Sequence, residues 1–254
     1  MSEFDLTGKV ALVTGGNGGI GLGIARGFAA AGASVVIAAR NEAKMQQALA
    51  ELQALGPAAH GMKVDVADEA ACRAMLAAAA ERFGRLDILV NNAGLAKRRR
   101  PETMSLADWR SVLDVNLDAV FVASQAAHPL MKAAGGGKII NIGSMYSIFA
   151  APWVSAYAAS KGAIVQLTKS LAAAWAADNI QVNAILPGWI ETDMTRGAKE
   201  GSPEFDAQVV ARTPAGRWGQ PTDFAGPAVF LASPASDFVT GHTLFVDGGW
   251  HAAL

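Results

Sequence analysis

The sequence is short of the features that mark several protein classes. It has a single cysteine, Cys72, so no internal disulfide can form, and within the alanine-rich run 68–83 that thiol reads as a small core residue. Charged residues make up only 17% of the chain and nearly cancel, to a formal net charge of −1, which gives no support for nucleic acid as a partner. No apolar run approaches the roughly 18 residues that a membrane span needs. The acidic start Met1-Ser-Glu-Phe-Asp5 is unlike a signal peptide, so a soluble, cytoplasmic protein is expected. Four histidines without ligand-like spacing offer no metal site. There is no internal repeat and no linker-like shift in composition across the 254 residues, which argues for one domain.

What is present is a rhythm. Short β-branched runs alternate with helical stretches: strands at Lys9–Thr14, Ser34–Ala39, His60–Val64, Leu86–Val90, Lys138–Ile142, Ile180–Leu186 and Thr243–Val246. Helices are expected at Ile20–Ala31, Glu42–Leu55, Asp68–Phe83, around Asp108–Asn116, at Asp118–Ala134, Ser155–Ala177 and Thr222–Ala232. Near-continuous apolar strands separated by helices predict an α/β fold. The expected form is a single Rossmann-type, doubly wound domain, a seven-stranded parallel sheet with helices on both faces. The segment 191–218 is the least regular. It lies between a strand and a helix, at the carboxyl end of the sheet, and reads as a substrate lid with one helix near Pro203–Ala211.

Several strand ends carry residues suited to chemistry. Strand one runs into Thr14-Gly-Gly-Asn-Gly-Gly-Ile-Gly21, where glycines let the backbone approach a pyrophosphate and the next helix points its positive end at it. The end of strand two has Ala38-Ala39-Arg40-Asn41 and no acidic residue for a ribose 2′-hydroxyl. A guanidinium there suits a 2′-phosphate, which points to NADP with NAD still open. Asp65 is placed to accept from an adenine amino group. Asn91-Asn-Ala-Gly94 ends strand four, where small and amide residues line a cofactor and tie strands together. Ser144 ends strand five. On the following helix Tyr157 and Lys161 are four apart and share a face, so the ammonium favours phenolate and pulls a tyrosine pKa of about 10 towards neutrality.

Taken together these residues resemble the classical short-chain dehydrogenase/reductase family over nearly the whole chain. The family's T-G-x-x-x-G-x-G motif falls on Thr14, Gly15, Gly19 and Gly21, and N-N-A-G on Asn91–Gly94. Its Y-x-x-x-K pair falls on Tyr157 and Lys161, and P-G with a downstream threonine on Pro187, Gly188 and Thr192. The resemblance implies an alcohol/carbonyl oxidoreductase with four catalytic residues, Asn116, Ser144, Tyr157 and Lys161. Ser144 would hydrogen-bond the substrate oxygen, Tyr157 would pass the proton, and Lys161 would lower the Tyr157 pKa and hold the nicotinamide ribose. Asn116 would hold a water joining Lys161 to solvent. Coenzyme contacts are implied for Gly15, Asn17, Gly19, Ile20 and Gly21 in the first turn, then Arg40, Asp65 and Val66. Asn92, Ala93 and Gly94 follow on strand four, and Pro187, Gly188, Ile190 and Thr192 after strand six, beside Tyr157 and Lys161. Members with this pattern are usually homotetramers; the alanine-rich face of Ala158–Ala177 and the end Trp250–Leu254 are candidate contacts.

The substrate is less constrained. Ser144, Tyr146, Trp153, Tyr157 and Trp189 are the expected wall, with Met145 and Met194 beside them. Lys97-Arg-Arg-Arg100 is either a solvated loop or the source of one inward guanidinium, Arg98, for a substrate carboxylate. Asn91–Arg98 together with Pro214–Pro221 and Val246–Trp250 resemble the sugar-acid members, the 2-deoxy-D-gluconate 3-dehydrogenase-like group. A sugar acid or polyol is thus the expected small-molecule substrate. A 3-oxoacyl thioester reductase or a broad ketone reductase shares the same core residues. A regulator that kept the fold without turnover is a third reading, which the intact catalytic set opposes.

Overall fold

The computed structural model describes residues 3–253. The first half runs β1 (Val10–Thr14), α1 (Gly19–Ala30), β2 (Ser34–Ala39), α2 (Glu42–Gln53), β3 (Ala59–Lys63), α3 (Glu69–Phe83) and β4 (Ile88–Asn91). Then come α4 (Leu106–Leu113), α5 (Ala119–Ala133), β5 (Gly137–Ile142), α6 (Ser155–Trp175) and β6 (Ile180–Pro187). The chain closes with α7 (Asp193–Glu200), α8 (Pro203–Arg212), α9 (Ala225–Ala232) and β7 (Thr243–Val246). All seven strands are parallel, in the order β3-β2-β1-β4-β5-β6-β7. The order reverses between β1 and β4, and their carboxyl ends frame a crevice there.

Alternation on the strands explains the two layers. In β1, Ala11 and Val13 face a core built with Ile24 and Phe28 of α1 and Leu231 of α9. Leu12 faces the other way, into a core with Leu76 of α3 and Met131 of α5. Cys72 is fully buried in that second core, and burial pushes its thiol up to about 11, as suits an inert packing residue. Local chemistry sets several helix ends. Asn41 caps α2 by accepting from the Lys44 N–H, Asp68 caps α3 by accepting from Ala71, and Gly84 ends α3 at φ 77°.

The strand and helix order follows the sequence expectation, with ends shifted by up to three residues, as at α9, where a 3-10 turn over Pro221–Phe224 precedes the helix. Two stretches depart from it. The helices expected on either side of residue 117 are one continuous rod, joined through a π turn at Asp114–Asp118. Segment 191–218 holds two helices, not one. Helix α7 escapes apolar periodicity because it buries no residue. A reciprocal hydrogen-bonded box between Thr192 and Thr195 starts it instead.

Candidate active site

The turn after β1 is fixed by polar stitching. The Thr14 hydroxyl donates to the Val90 carbonyl (3.2 Å) and accepts from the N–H groups of Asn92 (3.0 Å) and Ala93 (3.1 Å). The Asn92 amide donates to the carbonyls of Thr14 (2.9 Å) and Gly15 (3.2 Å), so the ends of β1 and β4 are locked together. This leaves no room for side chains. A Cβ on Gly15, which sits at φ 65°, would lie 2.8 Å from the Asn92 amide nitrogen, and one on Gly21 would lie 2.4 Å from it. Beyond the turn, α1 begins at Gly18 with no side-chain cap and no acidic residue in its first turn, so its N–H groups are open. A Cβ on Gly18 would meet nothing within 4 Å. An uncapped, unopposed N-terminus beside a glycine cradle fits a pyrophosphate. Asn17 ties the turn to α2 by donating to the Asn41 carbonyl, whereas Ile20 packs its side chain against the core below.

The rim of this groove is charged. Arg40, with Ala39 before it, is well exposed and lies 3.6 Å from the Asp65 carboxylate. Asp65 also accepts from the Ala67 N–H, and Val66 lies between them, partly buried. On the opposite side a Cβ on Gly19 would come within 3.2 Å of the Thr192 methyl, and Asp193 pairs with Lys44 of α2. Gly188 follows Pro187 and donates to the Val246 carbonyl, and Asp247 passes so close that a Cβ would lie 2.7 Å from its Cα. Ile190 buries its side chain in the core.

Three of the four expected catalytic side chains meet around the N-terminal half of α6. Ser144 starts the turn Met145–Ser147, its hydroxyl accepting from the Tyr146 N–H (3.1 Å). Ser147 accepts from the Ser144 N–H and donates to the Lys161 carbonyl (2.7 Å), which fixes the serine turn to α6. The Ser144 hydroxyl stands close enough to the Tyr157 phenol to lower its pKa. Lys161 is buried, donates to the Ile142 carbonyl (2.7 Å) and lies 5.7 Å from the Tyr157 ring centre.

Charge in this cluster differs from the sequence expectation. Burial holds the Tyr157 phenol above its ordinary value, against the lowering effect of the Ser144 hydroxyl, and nearby Tyr146 adds to the rise. Burial also pushes the Lys161 ammonium down to about 8. Desolvation outweighs attraction here because both groups leave water and the ammonium is committed to a carbonyl.

Asn116 is the fourth member, on the π turn close to Lys161. It is fully buried in the π turn, accepts from the Leu95 N–H (2.7 Å), and donates to the Leu95 carbonyl (2.9 Å) and the Ser160 hydroxyl (3.1 Å). Ser160 in turn donates to the Tyr157 carbonyl. Both amide donors and one oxygen lone pair are thus used, and the side chain acts as a clamp between the strand-four loop and α6. A Cβ on Gly94 would sit 3.6 Å from the Asn116 oxygen and 3.9 Å from the Lys161 nitrogen, so these three are adjacent. Behind them Asn91 donates to Asn141 (2.9 Å) and Ser124 (3.1 Å), and Asn141 to Thr168 (2.9 Å), tying β4 to β5 and both to helices.

On the far side of Tyr157 stands an aromatic wall. Tyr146 meets Tyr157 edge-on at 6.2 Å and Trp189 at 6.3 Å. Trp189 continues to Phe205 (5.0 Å), Trp218 (5.7 Å) and Trp250 (6.4 Å). The last three were not assigned to the site from sequence. They come from α8, the following loop and the C-terminal turn, and only folding gathers them. Trp153 and Met194 are each about half exposed, and Met145 is buried. The basic run divides. Lys97 pairs with Asp108 and Arg100 with Glu102, whereas exposed Arg98 has no ion pair among the described residues, and its charge reaches Tyr146. Burial raises the Tyr146 phenol and Arg98 opposes the rise.

A family model described as enoyl-(acyl carrier protein) reductase matches residues 15–251. The 2-dehydro-3-deoxy-D-gluconate 5-dehydrogenase of Escherichia coli is 44% identical, over 99% of this chain and 99% of its own length. The gluconate 5-dehydrogenase of Gluconobacter oxydans is 43% identical, over 99% and 98%. A crystal structure of a gluconate 5-dehydrogenase from Burkholderia cenocepacia, in complex with NADP and tartrate, superposes with a TM-score of 0.94 at 47% identity, covering 99% of this chain and 98% of that one.

Proposed function

We propose, from the premise that the chain belongs to the short-chain dehydrogenase/reductase family, that it is an NADP-dependent oxidoreductase interconverting a secondary alcohol and a ketone on a sugar acid or polyol. The observation that carries the reaction class is the Tyr157 phenol beside Ser144, with the buried Lys161 ammonium 5.7 Å from its ring centre. Bound coenzyme supplies the hydride donor or acceptor. The open N-terminus of α1 with Gly15, Asn17, Gly19, Ile20 and Gly21 would hold its pyrophosphate, and Arg40 its 2′-phosphate. Asp65 and Val66 would flank the adenine. Asn92, Ala93, Gly94, Pro187, Gly188, Ile190 and Thr192 would line the nicotinamide end, where Tyr157 and Lys161 would hold the ribose.

The chain's own part in the reaction is proton handling and placement. Ser144 hydrogen-bonds the substrate oxygen and fixes it beside Tyr157. In reduction Tyr157 gives its proton to that oxygen, and in oxidation it takes the proton back, a contribution of about 10²–10⁴ in rate. Lys161, with its ammonium near the operating range, steadies the phenolate that forms. Asn116 holds Leu95 and α6 in register and so keeps Tyr157 in place. Tyr146 and Trp189, with Trp153 beside them, shape the pocket, the unpaired Arg98 is one candidate for the carboxylate of an acid substrate, and segment 191–218 covers it.

The sugar-acid part of the reading is supported by relatives named for gluconate and 2-dehydro-3-deoxy-D-gluconate. The description of the matching family model keeps acyl thioesters in the comparison. Steady-state assays with NADP and NAD against sugar acids, 3-oxoacyl thioesters and cyclic ketones test it. Turnover of anionic sugars is expected. No such turnover, with a neutral ketone reaching kcat/KM of about 10⁴ M⁻¹s⁻¹ or more, overturns it. A homotetramer packed through α5 and α6 is proposed too, supported by exposed Phe121 on α5 and checked by light scattering. Trp250–Ala253 would join that contact; Leu254 lies outside the described residues. No helix among the described residues is long and apolar enough to cross a membrane, and the cytoplasm is the proposed compartment.

A further inference from the structure

A sugar acid presents a carboxylate away from its reacting carbon, and enclosing it against an aromatic wall calls for a cation not already neutralised. Most basic side chains around the cleft are already paired: Lys44 with Asp193, Lys97 with Asp108, Lys199 with Glu191 and Arg217 with Asp223. Lys161 is held by the Ile142 carbonyl.

Arg212, the last residue of α8, is different. No carboxylate among the described residues pairs with it. Its guanidinium carbon lies 4.2 Å from the ring centre of Trp250 and 6.0 Å from that of Phe149. Both rings belong to the site's surroundings. Trp250 meets Trp189, which meets Tyr146, which meets Tyr157, an unbroken line of ring contacts from the guanidinium to the phenol. Phe149 is anchored by its N–H to the Met145 carbonyl (2.9 Å), one residue after Ser144. Stacking over an indole orients the planar fork while leaving its N–H groups for a ligand, a geometry suited to a bidentate anion.

We propose that Arg212 is a specificity-determining residue that binds the carboxylate of the acid substrate while Ser144 and Tyr157 hold its reacting oxygen. This rests on the sugar-acid reading above. It also gives the aromatic wall a second task, since Trp250 positions the cation as well as enclosing the substrate. Arg98, which also has no ion pair among the described residues and whose charge reaches Tyr146, serves as the comparison.

The test uses the full chain with NADP and two substrates of equal carbon number, D-gluconate and a neutral hexitol. Arg212→Gln is expected to raise KM for gluconate at least tenfold more than for the hexitol. Arg212→Lys should fall between, because it keeps the charge and loses the fork. Equal losses on both substrates, or an Arg98→Gln variant that reproduces the whole discrimination while Arg212→Gln reproduces none, overturn the proposal. Gluconate binding to the wild type, followed by tryptophan fluorescence, separates the two readings. Binding and turnover that are indifferent to Arg212 defeat this assignment alone. A wild type that neither binds nor oxidises any sugar acid defeats both.

Discussion

The coenzyme side and the substrate side of this cleft are built from different materials. On the coenzyme side the groove is built from backbone, glycines and short polar side chains, locked by hydrogen bonds such as those by which Thr14 and Asn92 fix the first turn. On the substrate side the proposed lining consists of large rings and long cations carried by loops and by α8, and several are half exposed, Trp153 and Met194 among them. A phosphate chain is the same in every turnover and is best met by fixed N–H groups. A substrate is what distinguishes one relative from another, and side chains on surface segments change without disturbing the sheet. Ser144, Tyr157 and Lys161 stand where the two sides meet.

That contrast is broken most sharply at its centre. Tyr157→Phe keeps the ring contacts and removes the acid, so turnover should fall about 10²–10⁴-fold while coenzyme affinity, by NADPH fluorescence titration, changes little. Substantial residual turnover would reject the proton role.

The rigidity of the coenzyme side is tested by a pair of methyl groups. Gly21→Ala places a Cβ 2.4 Å from the Asn92 amide and from the Gly15 carbonyl, whereas Gly18→Ala meets nothing within 4 Å. The first should cost about 1–3 kcal/mol of stability and weaken coenzyme binding. The second should leave the urea midpoint near wild type. Equal midpoints would mean that the turn yields.

Lys161 gives a pH signature in the coenzyme-free protein. Its folded value is pushed down to about 8 from 10.5, so between those values the unfolded chain binds more protons and stability rises with pH. The slope reaches at most about 1.4 kcal/mol per pH unit. Below 8 both states are charged and the cost of burying the ammonium is fully present. Wild type minus Lys161→Met stability, from urea unfolding, should therefore be flat below about pH 8 and grow from there to about 9.5. A difference flat across both ranges would show an ammonium stabilised where it lies.

The smallest effect is expected at the exposed rim. Arg40→Ala should weaken NADP by about tenfold, roughly 1.4 kcal/mol, with little change for NAD. Equal losses on both coenzymes would remove the 2′-phosphate from Arg40.

The fold was legible because its signals are local. Runs such as Val10–Thr14 and Ile180–Pro187 are buried on both faces and read as continuous apolar strands, and Asp68 and Gly84 mark helix ends by their own chemistry. The glycine turn and the Tyr157–Lys161 spacing were legible for the same reason, since each lies within one element. Helix α7 and the π turn were not, because one rests on a threonine box without a buried face and the other on an insertion that periodicity averages away.

By itself, then, the sequence determined the α/β order and the glycine turn after strand one, and it brought forward the residues proposed to carry the chemistry. Only the tertiary structure decided how those residues are charged and what surrounds them. The side-by-side placement of Tyr157 and Lys161 follows from helix geometry, yet whether attraction or desolvation governs them depends on how much protein closes over both, and here burial prevails. The wall from Tyr146 to Trp250 has no local signal at all, because its rings lie far apart in the chain and become neighbours only when β6, α8 and the C-terminal turn pack together.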